Sequence, residues 1–404
     1  MPLLPGTLSH VGNSKSRRAR CYSDAQKAII SLEASRAVQN EICAWPGYQT
    51  TPLHRLESLA SVLQLARLWY KDESQRFGLK SFKALGGAYA VAHQMQQVLF
   101  KKTGKQPSMS ELLSGAYAKA LADEVVTCAT DGNHGRSVAW GARLFGCRCI
   151  IYVHRDVSIG RQQAMEALGA EVIRLDGNYD ESVRQADANA RFCGRILVSD
   201  TSYPGYLEIP RDVALGYTVM VAEVVRQLNG EIPTHVFIQG GVGGFASAVC
   251  GYFWELWGAQ RPRFIVVEPE QANCLQRSAL AGKPVTVSGD LHTLMAGLAC
   301  GEVSVLAWEI LATGVDDFLT LSEEAVPATM RLLARGFGED PAIEAGESAV
   351  PGLAATILAC QSPKLVQALG LTTNSRVLVI GTEGATDPEL YESLIREPAS
   401  ASSA

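Results

Sequence analysis

No stretch of this 404-residue chain approaches the ~20 uninterrupted apolar residues that a spanning helix requires, so no membrane helix is expected. Neither sign of charge dominates. Lys and Arg number 36 and Asp and Glu 41, and the net charge of −5 leaves no basic footprint for nucleic acid. The ten cysteines are scattered: only Cys147 and Cys149 stand close together, with no C-x-x-C pair and no Cys/His metal spacing. That argues against a disulfide framework and against a metal centre, and for reduced, mostly buried thiols in a cytoplasmic protein. No hydrophobic secretory core is present. The chain carries no acid before Asp24, while Lys15, Arg17, Arg18 and Arg20 cluster there, a bias shared with transit peptides. Amphipathic periodicity is missing and Pro2 and Pro5 interrupt the segment, so a disordered tail is the expectation. The one low-complexity run, residues 398–404, is expected to be disordered as well.

What is present is enough chain for two or three domains and a regular alternation of element types. Strand-like runs at 125–130, 148–153, 171–175 and 195–198 alternate with helical stretches at 136–145, 160–168 and 179–191. A second series has a strand at 234–239, a helix at 245–257, a strand at 263–267 and a last strand at 376–380. This spacing implies α/β architecture with parallel sheets flanked by helices. In such sheets ligands bind in loops beyond the carboxyl ends of the strands. Residues 131–134, Asp200, 240–244 and Thr382 all fall at such ends.

The loop Gly240-Gly241-Val242-Gly243-Gly244 follows a strand and opens a helix. Backbone amides and the helix dipole converge there, and glycines let the chain approach a phosphate closely. Residues 241–246 also fit a dinucleotide fingerprint, with Glu268 placed as a ribose-binding acid. On this segment alone, a nicotinamide oxidoreductase and a single-phosphate site both remain open. Lys83 and the Asp131-Gly132-Asn133-His134 loop decide between them, because a nicotinamide enzyme gives neither a task. In the apolar setting of Phe82, Ala84, Leu85 and Gly86, Lys83 suits an amine that carries a pyridoxal aldehyde as a Schiff base. Burial would lower its pKa and free it as nucleophile and base. The amides of the 131–134 loop could hold a substrate carboxylate, and the Asn133 side chain could reach the cofactor's phenolic oxygen. The competing reading makes Asp131 or Asn133 a helix cap and His134 a packed, hydrogen-bonded histidine. For Asp200 it is an Asx turn with Thr201 and Ser202.

Ser81-Phe82-Lys83, Gly132-Asn133-His134-Gly135 and the 240–244 loop, in this order and separation, resemble the fold-type II pyridoxal phosphate enzymes, which include threonine dehydratase and the tryptophan synthase β subunit. More narrowly, five segments resemble the diaminopropionate ammonia-lyases: 71–90, 130–140, Asp200 with Gly205-Tyr206 and 208–210, 295–302, and Thr382-Glu383-Gly384. The likeness spans roughly residues 45–395. It implies a two-domain fold, with residues 86–210 as the smaller α/β domain and 1–85 with 211–404 as the larger, cofactor-binding one. It implies pyridoxal 5′-phosphate bound by Lys83, Asn133, Gly240, Gly241, Val242, Gly243, Gly244 and Thr382. Thr130, Asp131, Gly132 and His134 would bind an amino-acid substrate, and a homodimer is expected.

Asp131 marks the difference from the hydroxyamino-acid dehydratases, which carry a small neutral residue before Gly-Asn-His. An acid beside the β-carbon would attract the second ammonium of 2,3-diaminopropionate and handle its protons. The resemblance implies that both stereoisomers are used, with Lys83 the base for the L form and Asp131 for the D form. Asp200 is implied as a second acid near the substrate. Alternatives within the same cofactor class are a dehydratase or a β-replacement enzyme acting on another 3-substituted alanine. The resemblance also makes Cys274 and Cys300 candidates for a disulfide, against the cytoplasmic expectation of free thiols. Glu347 is a candidate wall residue. One departure stands out: relatives commonly carry a polar residue where this chain has Gly381, which complicates the assignment of Thr382 as partner of the pyridine nitrogen.

Overall fold

A computed structural model describes residues 3–177 and 179–396, so the run at 398–404 lies outside the described residues. Its strands, in chain order, are β1 (Leu8–Gly12), β2 (Leu53–Arg55), β3 (Arg67–Asp72), β4 (Val125–Ala129), β5 (Arg148–Val153), β6 (Glu171–Arg174), β7 (Ile196–Leu197), β8 (His235–Gln239), β9 (Arg263–Pro269), β10 (Asp317–Leu321) and β11 (Arg376–Gly381). One sheet has seven strands, in the order β1-β10-β9-β8-β11-β3-β2, and the other has four, β6-β5-β4-β7. Every pairing is parallel except β1 on β10 and β2 on β3, at the two edges of the large sheet. Helices connect the parallel strands, as crossover geometry requires.

All seven strands expected from the sequence are present, with ends shifted by a residue or two. The four not anticipated are instructive. β10 is a five-residue fully buried run, and such runs lack the alternation that marks a strand. β3 carries Lys71 and Asp72, which read as surface residues, yet both are buried. β1 corrects the expectation of a disordered tail. His10 pairs with Asp317 at 2.8 Å, and the Asn13 amide donates to the carbonyls of Ala312 and Val315.

Two features bring the chain to Lys83. The first is a buried set of four charges under the loop that leads to it. Lys71 Nζ lies 2.7 Å from Glu223, and Arg76 Nη2 lies 2.8 Å from both Glu73 and Glu223. All four side chains are at most 1% exposed. The two cations and two carboxylates cancel, and the hydroxyl of Thr51 donates to Glu73 at 2.5 Å, so the set is paired and hydrogen-bonded as burial demands. The second feature is close helix packing. Lys83 opens the helix Lys83–Thr103, which packs against the helices Asn133–Phe145 and Glu208–Gln227. A Cβ at Gly216 would stand 2.3 Å from the Leu85 carbonyl oxygen, and one at Gly86 would stand 2.4 Å from the Tyr217 ring. Ser137 donates from its hydroxyl to the Lys83 carbonyl at 2.6 Å and accepts from the Ala88 amide. The first turn of the Lys83 helix is thereby fixed from two sides.

Because the obstacle at Gly216 is backbone, Gly216→Ala should destabilise the protein by ~1–3 kcal/mol, the usual range for overpacking. Thermal or urea unfolding will read it as a clear loss of stability. A neutral result would mean that the two helices can separate locally.

Candidate active site

Lys83 Nζ emerges into a pocket between the two sheets, 5.6 Å from the Phe82 ring centroid and 5.9 Å from that of Tyr217. It forms an ion pair with Asp200 Oδ2. Asp200 follows β7 and turns its carboxylate into the pocket. The turn expected for it survives only as a 3.4 Å contact from the Thr201 hydroxyl to Oδ1. Burial alone would lower the Lys83 pKa, but the charge and hydrogen bond of Asp200 outweigh it and hold the ammonium well above its ordinary value. This reverses the expectation of a lysine made neutral by desolvation. Burial likewise pushes the Asp200 carboxyl up, and Lys83 and then His134 override it, holding it well below the usual carboxylate range.

The 130–134 loop follows β4 and opens the Asn133–Phe145 helix. The cap is neither Asp131 nor Asn133. The Thr130 hydroxyl accepts from the amides of Gly132 and Gly135, at 3.0 and 3.1 Å. The amides of Asn133 and His134 are left without a protein acceptor among the described residues, and unpaired amides at a helix N-terminus form an anion site. Asp131 instead accepts from His154 Nε2 at 2.7 Å, and the side-chain amide of Asn133 donates to Glu383 Oε2. His134 is the packed histidine of the competing reading. Its Nε2 meets the Val198 carbonyl at 2.8 Å, and burial lowers its pKa. It nonetheless lines the pocket together with Thr130, Asp131 and Gly132.

Gly240, Gly241, Val242, Gly243 and Gly244 form the opposite wall. Gly241 and Gly243 have φ of +61° and +95°, a conformation that excludes most side chains. The loop leads into the helix Gly244–Trp257, whose first amides, Gly244, Phe245 and Ala246, have no protein acceptor among the described residues. Glu268 is fully buried and accepts from the amides of Leu275 and Gln276 at 2.9 and 2.8 Å. Its Cγ would be 2.7 Å from a Cβ on Gly240. It caps a helix and cannot meet a ribose, which removes the nicotinamide reading.

Three further side chains complete the pocket. Thr382 donates its hydroxyl to the Ser348 carbonyl at 3.1 Å. Glu347 does line the wall and meets Arg161 Nη2 at 2.6 Å. Burial and neighbouring Glu383 push the Glu347 carboxyl up to about 7, against the pull of Arg161. Gly381 has a packing reason: a Cβ there would meet the Tyr70 hydroxyl at 2.0 Å. Cys274 and Cys300 are both free; the Cys274 thiol faces the carbonyls of Gly241 and Glu302.

The family model for pyridoxal-phosphate dependent enzymes matches residues 44–383. Diaminopropionate ammonia-lyase of Escherichia coli K12 is 41% identical over 358 residues, covering 87% of this chain and 88% of that protein. The chain belongs to the diaminopropionate ammonia-lyase family. The Salmonella typhimurium LT2 protein of that name is 39% identical over 94% of this chain and 96% of its own length. The crystal structure of the E. coli enzyme in complex with D-serine superposes with a TM-score of 0.87 at 35% identity, covering 97% of each chain. The fold is therefore that of the fold-type II pyridoxal enzymes, and the cofactor of the family is pyridoxal phosphate. The residues present fit it, since an amine for the aldehyde and unpaired amides for a phosphate line one pocket.

Arg161, His154, Glu383 and Tyr217 were not anticipated. His154 was within reach of the strand-end rule, because it follows β5 as Asp131 follows β4. Arg161 and Tyr217 lie inside helices and carry no local signal.

Asp200→Asn removes the strongest of the groups that oppose burial at Lys83 and lowers the amine pKa. In cofactor-free protein, acylation of Lys83 near neutral pH should then rise by ~10-fold or more, a change of one pKa unit. Peptide mapping of the label against pH measures it. An unchanged profile would assign the shift to something else.

Proposed function

We propose that this chain catalyses α,β-elimination of 2,3-diaminopropionate, D and L, yielding pyruvate and two ammonia molecules per water consumed. The observation that carries this reading is the presence of Lys83 and Asp131 in one pocket with two sets of unpaired helix-terminal amides. Bound pyridoxal phosphate would supply the electron sink for negative charge developing at Cα. Lys83 would hold the aldehyde, the amides of residues 244–246 the phosphate, and the Thr382 hydroxyl would face the pyridine nitrogen. Asn133, through its side-chain amide, would face the phenolic oxygen. The amides of Asn133 and His134 would bind the substrate carboxylate.

Lys83 Nζ, once freed from the aldehyde by substrate, would take the Cα proton of the L isomer, and Asp200 is placed to stabilise the resulting ammonium. Asp131 would take that of the D isomer, and its charge favours the departing ammonium. A hydroxyl leaving group would gain little from that carboxylate, which separates this reading from a dehydratase. In the same proposal, residues 86–210 form the smaller domain and 1–85 with 211–404 the larger. The protein would be a cytoplasmic homodimer. Among the described residues no helix is long and apolar enough to cross a membrane.

The test is release of pyruvate and ammonia from D- and L-diaminopropionate, with L-serine in parallel. Strong turnover of both diaminopropionate isomers and little of serine is expected. Asp131→Asn should cut kcat/KM for the D isomer by ~10²–10⁴-fold, the scale of a lost general base, with a much smaller effect on L. Equal losses on both isomers would remove Asp131 from its assigned role.

A further inference from the structure

β4 and β5 are parallel neighbours in register, with Ala129 opposite Tyr152. Two residues beyond each lie Asp131 and His154, so strand pairing itself sets these two side chains side by side at the pocket edge. His154 Nε2 is 2.7 Å from Asp131 Oδ1. A carboxylate oxygen can only accept, so Nε2 carries the proton directed at Asp131; Nδ1 lies 3.3 Å from the Asp156 backbone amide and 3.6 Å from its carboxylate. Asp131 Oδ2 has no hydrogen-bond partner among the described residues, while its backbone carbonyl accepts from Arg161 Nη1 at 3.3 Å. The ring is 17% exposed and stands between the pocket and Asp156, which is 72% exposed.

We infer that His154 is a positioning residue for Asp131: its Nε2–H fixes Oδ1 and leaves Oδ2 aimed at the substrate. It thereby sets how well the D isomer is used relative to the L. The inference rests on Asp131 being the base for the D isomer. Among the described residues, the carboxylates of Asp131 and Asp156 approach the two ring nitrogens, at 2.7 and 3.6 Å. Nearby cations meet other atoms: Arg155 pairs with Asp156, Arg161 donates to the Asp131 backbone carbonyl, and Arg174 donates to the His154 backbone carbonyl. The hydrogen bond to Asp131 raises the His154 pKa, partly opposed by burial. A histidine that merely filled a loop would not depend on Asp131.

The experiment uses the full chain loaded with cofactor. His154→Leu should lower the ratio of kcat/KM for D over L by ~10–100-fold, and His154→Gln, which returns an N–H donor near the Nε2 position, should restore most of it. An unchanged ratio in His154→Leu, alongside a collapsed ratio in Asp131→Asn, overturns this inference alone. An unchanged ratio in Asp131→Asn overturns the underlying assignment as well. Independently of turnover, NMR titration of the imidazole should show His154 shifting to a lower pKa in Asp131→Asn. Its signal is one of seven histidines and is identified by its loss in His154→Gln. A titration unmoved by Asp131→Asn overturns the pairing.

Discussion

A half-buried amine and a half-buried carboxylate face each other at the centre of this protein, and each holds the other's charge. Each would otherwise shed its charge, because a low-dielectric interior penalises ionised groups. Together Lys83 and Asp200 stay ionised, one on the helix that follows the large-sheet strand β3 and the other after a small-sheet strand. The pair therefore joins the two sheets across the pocket they form.

Around that pair the electrostatics have two signs, separated in space. Two helix N-termini, one from each sheet, present unpaired amides that favour anions. Asp131, Asp200 and Glu347 present carboxylates to the same cavity. A cavity so divided is complementary to a molecule with a phosphate at one end, a carboxylate at another and an extra ammonium between them. Neither a purely anionic nor a purely cationic ligand would satisfy both halves.

The strands that carry the chemistry were legible because each ends in a turn or helix-opening signature after a short apolar run. β3 and β10 were not, since burial of Lys71 and Asp72 contradicts their residue types and a fully apolar run has no period. The site was legible to the same degree. Lys83, Asp131, Asn133, Asp200, the glycine loop and Thr382 sit at positions a local rule can find, and all line the pocket. What the local rules missed are pairings across the chain: Asp131 with His154, Asn133 with Glu383, Glu347 with Arg161. Each depends on which strands and loops become neighbours, and the protonation of Lys83 depends on such a pairing too.

The four charges beneath the Lys83 loop carry an evolutionary corollary. Lys71, Glu73, Arg76 and Glu223 are neutral only as a set. Removing any one strands a charge in the interior at a cost of ~3–5 kcal/mol, whereas replacing oppositely charged members together by apolar groups can be nearly neutral. Drift at these positions is accordingly constrained to paired steps. Related chains should therefore either keep all four or lose them in charge-balanced couples.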